Sequence, residues 1–287
     1  MNTLTPSAFN FSRRLALRAL LGCAALSTVG IPEAWAREGV DVGANSAFSN
    51  LVSADSVEQS AGQQYAQMLQ QAAAKNALGA KDHPQVVRLR AIARQIIPFA
   101  IEWNPRAKNW RWEVNLIGSK QINAFCMPGG KIAFYSGILD QLKLTDHEVA
   151  MVMGHEIAHA LREHARERMG KSAVTQGAAR IGGAVATSLF GINPHITDGL
   201  AQGGANLLSL QFSRNDESEA DLVGMELAAR AGYDPRAGVT LWQKMSAASK
   251  GAPPQWLSTH PSGHTRIADI EVNLPKVMPL YERAKKG

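Results

Sequence analysis

The sequence predicts an α+β fold that is mainly helical, with a small β-sheet beside one central helix. Three observations carry that expectation. Thr145 to Met169, TDHEVAMVMGHEIAHALREHARERM, has the strongest helical signature in the chain. Trp110 to Tyr135 reads as short strands divided by Gly118-Ser119-Lys120 and Pro128-Gly129-Gly130. Apolar residues at helical spacing recur before and after that region.

The first 36 residues stand apart. Arg13 and Arg14 precede the apolar run Leu15 to Val29, and Ala34-Trp35-Ala36 supplies an A-x-A cleavage site, the layout of a secretory signal peptide. Ser12-Arg13-Arg14-Leu15-Ala16-Leu17 resembles a twin-arginine export signal, while Leu20-Leu21-Gly22-Cys23 has the outline of a lipoprotein box. Cleavage after Ala36 and lipidation at Cys23 therefore stand as alternatives. The first removes three arginines and one glutamate, and the net charge falls from +6 to +4. That charge is spread out, with no Lys/Arg run, which speaks against nucleic acid as a partner. Only Cys126 would then remain, so no disulfide could form within the chain, and its expected role is that of a small buried hydrophobe.

Residues 37–55, rich in Gly, Ala, Ser and Asn, read as a flexible lead-in. Residues 56–78 read as a surface helix with Val57, Ala61, Tyr65, Met68, Leu69 and Ala72 on one face. Pro84 opens a stronger helix expected to reach about Glu102 before Asn104-Pro105 ends it. Strands are expected at Trp110–Ile117, Ile122–Cys126 and Lys131–Tyr135, then a brief helix at Ser136–Leu142. Thr145 and Glu148 form a T-x-x-E capping box for the central helix. Val149, Val152, Met153, Ile157, Ala160 and Leu161 make its apolar stripe. Arg162, His164, Arg166 and Arg168 load its far end with basic groups, which suits the helix dipole. Residues 170–212 are Gly-, Ala- and Ser-rich and too broken for a membrane span. A helical lid, a segment touching membrane or unfolded clients, and helices packed on the domain all remain open for them.

The chemistry centres on His155-Glu156-Ile157-Ala158-His159. Two histidines four apart share a helix side, about 6 Å apart along the axis, which suits two imidazole nitrogens meeting one Zn²⁺. Glu156 then sits beside the metal, placed to take a proton from water. A catalytic zinc uses three protein ligands and keeps a position open. Ser213-Arg214-Asn215-Asp216-Glu217-Ser218-Glu219-Ala220-Asp221 opens a second helix on which Glu217 and Asp221 share a face. Glu217 can be the third ligand while Asp221 hydrogen-bonds the far nitrogen of a ligand histidine and fixes its tautomer. Glu219 points elsewhere and is the next carboxylate to consider. A strand ahead of the central helix could pair with an extended substrate, with Asn123, Ala124 and Phe125 as the candidate residues.

These two segments resemble the gluzincin arrangement. With Asn123-Ala124-Phe125, Pro128-Gly129-Gly130, Gly137-Ile138-Leu139, Ser213-Arg214, Gly232-Tyr233-Asp234-Pro235 and Thr259-His260-Pro261, the chain resembles metallopeptidase family forty-eight over about Pro84 to Ile270. The resemblance lies with the Oma-like and periplasmic outer-membrane quality-control branch, without C-terminal tetratricopeptide repeats and without the long membrane spans of other branches. It implies a zincin-like domain over 83–287, after a signal peptide at 1–36 and a lead-in with one helix at 37–82. It implies an endopeptidase with one Zn²⁺ per chain on His155, His159 and Glu217, with His264 and Arg266 as candidate oxyanion or substrate donors. It implies His260 as a fourth ligand that latches the site closed, because an imidazole there would displace water and complete a tetrahedral site. It further implies a periplasmic protein, in reach of the outer membrane, whose substrates are unfolded or misassembled envelope proteins. The rival reading is a chaperone-like binder of such proteins with little proteolysis.

Overall fold

The computed structural model describes residues 37–180, 207–249, 254–260 and 265–286. The expected leader over 1–36, the lid reading for 181–206, and His264 lie outside the described residues.

Helix α1 (Ala54–Ala74) is followed by α2 (Pro84–Ile96). Pro98 has no N–H for an α-helical bond, and the chain tightens to a 3-10 turn at Ile97–Glu102, so α2 ends short of the expected Glu102. Asn104 then caps a second 3-10 turn, Pro105–Asn109, by accepting from Arg106 N–H at 3.0 Å. Strands β1 (Glu113–Ile117), β2 (Ala124–Met127) and β3 (Lys131–Tyr135) form one sheet in the order β1-β3-β2, with β1 parallel and β2 antiparallel to β3. Strand β2 is therefore an edge. The β2–β3 turn uses Gly129 and Gly130 at φ 82° and 76°, and a Cβ on Gly130 would meet the Trp112 ring. Glycine is thus required there by backbone and space together.

Helix α3 (Ser136–Leu142) leads into α4 (Asp146–Leu161). The capping box forms as read: Thr145 Oγ1 accepts from Glu148 N–H and the Glu148 carboxylate from Thr145 N–H. Such caps contribute about 1 kcal/mol. Every residue from Glu148 to Leu161 is buried. The apolar stripe marks one face, yet no face of α4 is left to water, as in a central core helix. The helix does not run on to Met169 as expected. Arg162 caps it, Glu163 turns at φ 59°, and α5 (His164–Arg180) starts on a new axis.

Helix α6 (Arg214–Arg230) has its own capping box, Ser213 with Asp216. It crosses α4 at Gly154 and Gly224. A Cβ at Gly154 would lie 2.5 Å from the Gly224 carbonyl, and one at Gly224 would meet the His155 backbone. The glycines let the two backbones approach where the HExxH segment lies. Helices α7 (Ala237–Ala248), α8 (Gln255–Thr259) and α9 (Arg266–Ala284) complete the chain. Among the described residues, no helix is long and apolar enough to cross a membrane.

The main apolar cluster surrounds α4 and takes in α2, the sheet, α6, α7 and α9. A second lies between α1, β2 and the start of α5, where Tyr65 donates to the Ile132 carbonyl at 2.5 Å. The lead-in is not loose. Val40 is buried and donates its N–H to Glu226 Oε2 at 2.8 Å, while Arg230 holds the other Glu226 oxygen at 2.8 Å. The described residues from Glu38 onward cluster as one compact unit. Composition alone hid this: Val40, Ser49 and Val52 are buried, and the Gly43 and Val52 carbonyls accept from Arg162 and Arg166, far along the chain.

Candidate metal centre

The crossing of α4 and α6 brings four buried side chains to one point. His155 and His159, each 3% exposed, project from the same side of α4 with their Nε2 atoms 3.1 Å apart. Glu217, in the first turn of α6, places Oε2 3.5 Å from His155 Nε2 and Oε1 3.4 Å from His159 Nε2. His260, at the end of α8, places Nδ1 3.3 Å from His155 Nε2 and 3.0 Å from Glu217 Oε1. One donor atom from each of the four lies within 4.8 Å of every other. Ligands about 2.0–2.1 Å from a tetrahedral ion would stand about 3.3–3.4 Å apart, which these contacts bracket. A set of imidazoles and one carboxylate suits a divalent first-row ion.

The electrostatics point the same way. Burial works against charge on His155, but its hydrogen bonds to Asp221 and Glu217 outweigh that and push its pKa up to about 9. Burial holds His159 well below the ordinary histidine value. Burial also opposes ionisation of Glu217, yet His260 and the hydrogen bonds of the histidines hold its carboxyl well below the usual range. An ionised Glu217 and a neutral His159 are the states a cation requires of its ligands, and a cation on His155 would displace the second proton that the two carboxylates favour there.

Asp221 Oδ1 lies 3.0 Å from His155 Nδ1. With the proton on Nδ1, the Nε2 lone pair faces the cluster. Arg266 fixes both carboxylates: Nε and Nη2 donate to Asp221 at 2.5 and 2.6 Å, and Nη1 donates to Glu217 Oε2 at 2.7 Å. Its guanidinium is 2% exposed and sits 3.7 Å over the Trp242 ring. This corrects the expectation of an oxyanion or substrate donor at Arg266. The side chain lies behind the cluster, and its charge is committed to Asp221 and Glu217.

Glu156 is 2% exposed and does not join the four donors. Its Oε1 accepts from Trp256 Nε1 at 2.7 Å and lies 3.6 Å from His260 Nε2. It lines a cavity of about 50 Å³, room for a few waters, together with Asn123, Ala124, Phe125, His159, Phe212 and His260. The expected pairing residues thus line the same cavity as Glu156, and β2 has a single partner, β3, within the sheet.

Sequence reasoning missed three contributors. His164 packs on His159, and Phe212 stacks on it at 4.0 Å. Trp256, four residues before His260 on α8, had a usable signal, since an i, i+4 pair shares a helix side. His164 had none, because its position depends on the corner at Glu163.

The fold and site define a mainly helical HExxH metallopeptidase domain with a small sheet. The description Peptidase family M48 matches residues 85–273, and the chain belongs to that family. This agrees with the resemblance carried by its motifs. The chain is 39% identical over 182 residues to the mitochondrial metalloendopeptidase OMA1 of Arabidopsis thaliana, covering 61% of this chain and 35% of that protein. It is 32% identical over 156 residues to the metalloprotease LoiP of Escherichia coli, covering 53% and 58%. It is 31% identical over 181 residues to the beta-barrel assembly-enhancing protease of the same organism, covering 60% and 36%. The match therefore spans less than two thirds of each relative's length.

Proposed function

We propose that the chain is a zinc endopeptidase of the bacterial cell envelope that cleaves unfolded or misassembled envelope proteins. The observation that carries this is the convergence of His155, His159 and Glu217 beside Glu156, at a cavity that an edge strand also lines. A zinc ion held by His155, His159 and Glu217 supplies Lewis acidity, lowering the pKa of water and polarising the scissile carbonyl. Asp221 holds His155 in the tautomer that presents Nε2, and Arg266 keeps Asp221 and Glu217 ionised and aimed. Glu156 takes a proton from the attacking water and delivers it to the leaving amine. Trp256 restrains the Glu156 carboxylate through Oε1. Strand β2, from Asn123 onward, offers its backbone to an extended peptide, so that main-chain hydrogen bonds align the scissile bond. His260 acts as a latch: its ring stands where water and substrate must enter, and client binding draws it aside as a population shift. Export rests on the leader read in residues 1–36. The two Escherichia coli relatives are named as proteases and one for β-barrel assembly, which supports an envelope setting, whereas the OMA1 relatives are named as mitochondrial.

The test is incubation of the purified chain, and of Glu156→Gln, with casein or an unfolded outer-membrane protein. Cleavage by the first alone supports the enzyme. Equal suppression of client aggregation by both, with no cleavage by either, supports the chaperone-like binder.

A further inference from the structure

His164 lies five residues beyond His159. On one continuous helix that spacing would turn it about 140° away. The corner at Glu163, with φ 59°, swings it back instead. Its ring, 1% exposed, lies 4.9 Å from that of His159 at 73°, and the two Nδ1 atoms are 2.8 Å apart. Two ring nitrogens at that distance share one proton, so one donates and the other accepts. If His159 keeps Nε2 unprotonated toward Glu217, its proton is on Nδ1, and His164 Nδ1 is the acceptor. The proton of His164 is then on Nε2, 3.5 Å from Glu219 Oε2, with no closer hydrogen bond among the described residues. Glu219 is ion-paired with Arg162, which donates to the Gly43 carbonyl at 2.9 Å and lies 5.9 Å over the Trp103 ring.

We propose that His164 is a positioning residue for His159: it accepts the His159 Nδ1 proton, fixes the tautomer that presents Nε2 to the metal, and is itself oriented by the Glu219–Arg162 pair. The inference rests on the metal site proposed above. It makes the two histidine ligands unlike. His155 is backed by a carboxylate, Asp221, whereas His159 is backed by a neutral imidazole with a carboxylate one step further out. A ligand histidine loses orientation and basicity when the acceptor behind it is removed, usually at about 10–100-fold in metal affinity.

The experiment measures zinc affinity of the full chain by competition with a chromophoric chelator, and the visible spectrum of the Co²⁺-loaded form. It compares wild type with His164→Asn, His164→Gln and His164→Ala. Asparagine places its amide oxygen where His164 Nδ1 stands; glutamine places its amide near Nε2 and leaves the Nδ1 position empty. The expected result is zinc affinity within about threefold of wild type for His164→Asn, and about 10–100-fold weaker for His164→Gln and His164→Ala. The Co²⁺ bands should shift only in the latter two. Should His164→Ala fail to fold, the Asn and Gln pair carries the comparison, since both are neutral amides. Equal affinity in all forms, or His164→Asn as weak as His164→Gln, overturns the assignment. Wild-type chain that binds no zinc overturns the metal site itself and the assignment with it, an outcome distinct from zinc binding that is indifferent to His164.

Discussion

At the scale of the residue, the cluster separates ligands from the groups that hold them. Glu217 touches His155, His159 and His260, whereas Asp221 touches only His155 among the described histidines. Glu217→Ala, which removes the one anionic donor and leaves three neutral imidazoles, should therefore weaken zinc binding by more than the about 10–100-fold expected of Asp221→Ala, measured by metal analysis after gel filtration. Full occupancy in Glu217→Ala would mean that another carboxylate holds the ion, with Glu219 next to test. His260 makes a different prediction. If it latches the site, His260→Ala keeps its zinc through three remaining ligands and cleaves unfolded casein faster, because an internal donor no longer competes with the open state. A slower rate with zinc retained would instead place His260 on the substrate. The HExxH pair and the Glu217–Asp221 pair were legible because each depends only on helical spacing. Arg266 was misread as a donor facing the substrate, since which side of the cluster a residue occupies is set by the α6–α9 packing and not by local sequence.

Elements were legible where their ends carry their own chemistry. The α4 capping box and the β2–β3 glycine turn are local and formed as expected. The corner at Glu163 and the continuous helix α9 were not legible. The first puts a glutamate at positive φ, and the second carries Pro275 and Pro279 inside its span, which interrupt the usual helical signature. Glu148 shows how one cap serves two elements. Besides Thr145, it accepts from Lys244 at 2.7 Å and from Thr240 at 3.0 Å, tying α4 to α7. Burial opposes its ionisation, but these bonds, Lys244 foremost, hold its pKa below the ordinary value. A lowered folded-state pKa means that the unfolded chain binds the proton more readily. The stabilisation is therefore present above about pH 4.3, the ordinary glutamate value, and is lost as pH falls through the lower folded value. Glu148→Gln should lose about 1–2 kcal/mol in urea unfolding at pH 7, with the gap to wild type narrowing below about pH 4. A gap unchanged down to pH 3 would show that the charge plays no part.

At the scale of the molecule, the fold class, the order of elements to α4 and the family were all readable. The packed lead-in was not, because its anchor, Glu226, lies 186 residues from Val40. The leader predicts export with cleavage after Ala36. N-terminal sequencing of the mature protein should read from Arg37, and a lipid-bearing start at Cys23 would replace that route. Lysine at both Arg13 and Arg14 should block export only if the twin-arginine path is used. One further consequence follows from the unequal helices around the cluster. Helix α4, enclosed on every side, has no way to open by itself, so its amides should be among the slowest to exchange with solvent. Helix α8 has five residues, too few to persist without its neighbours. An ion held between them has one permanent wall and one hinged wall. A fluctuation of α8 would then withdraw His260 alone and leave His155, His159 and Glu217 on the ion, so opening of the latch would run much faster than metal loss or global unfolding.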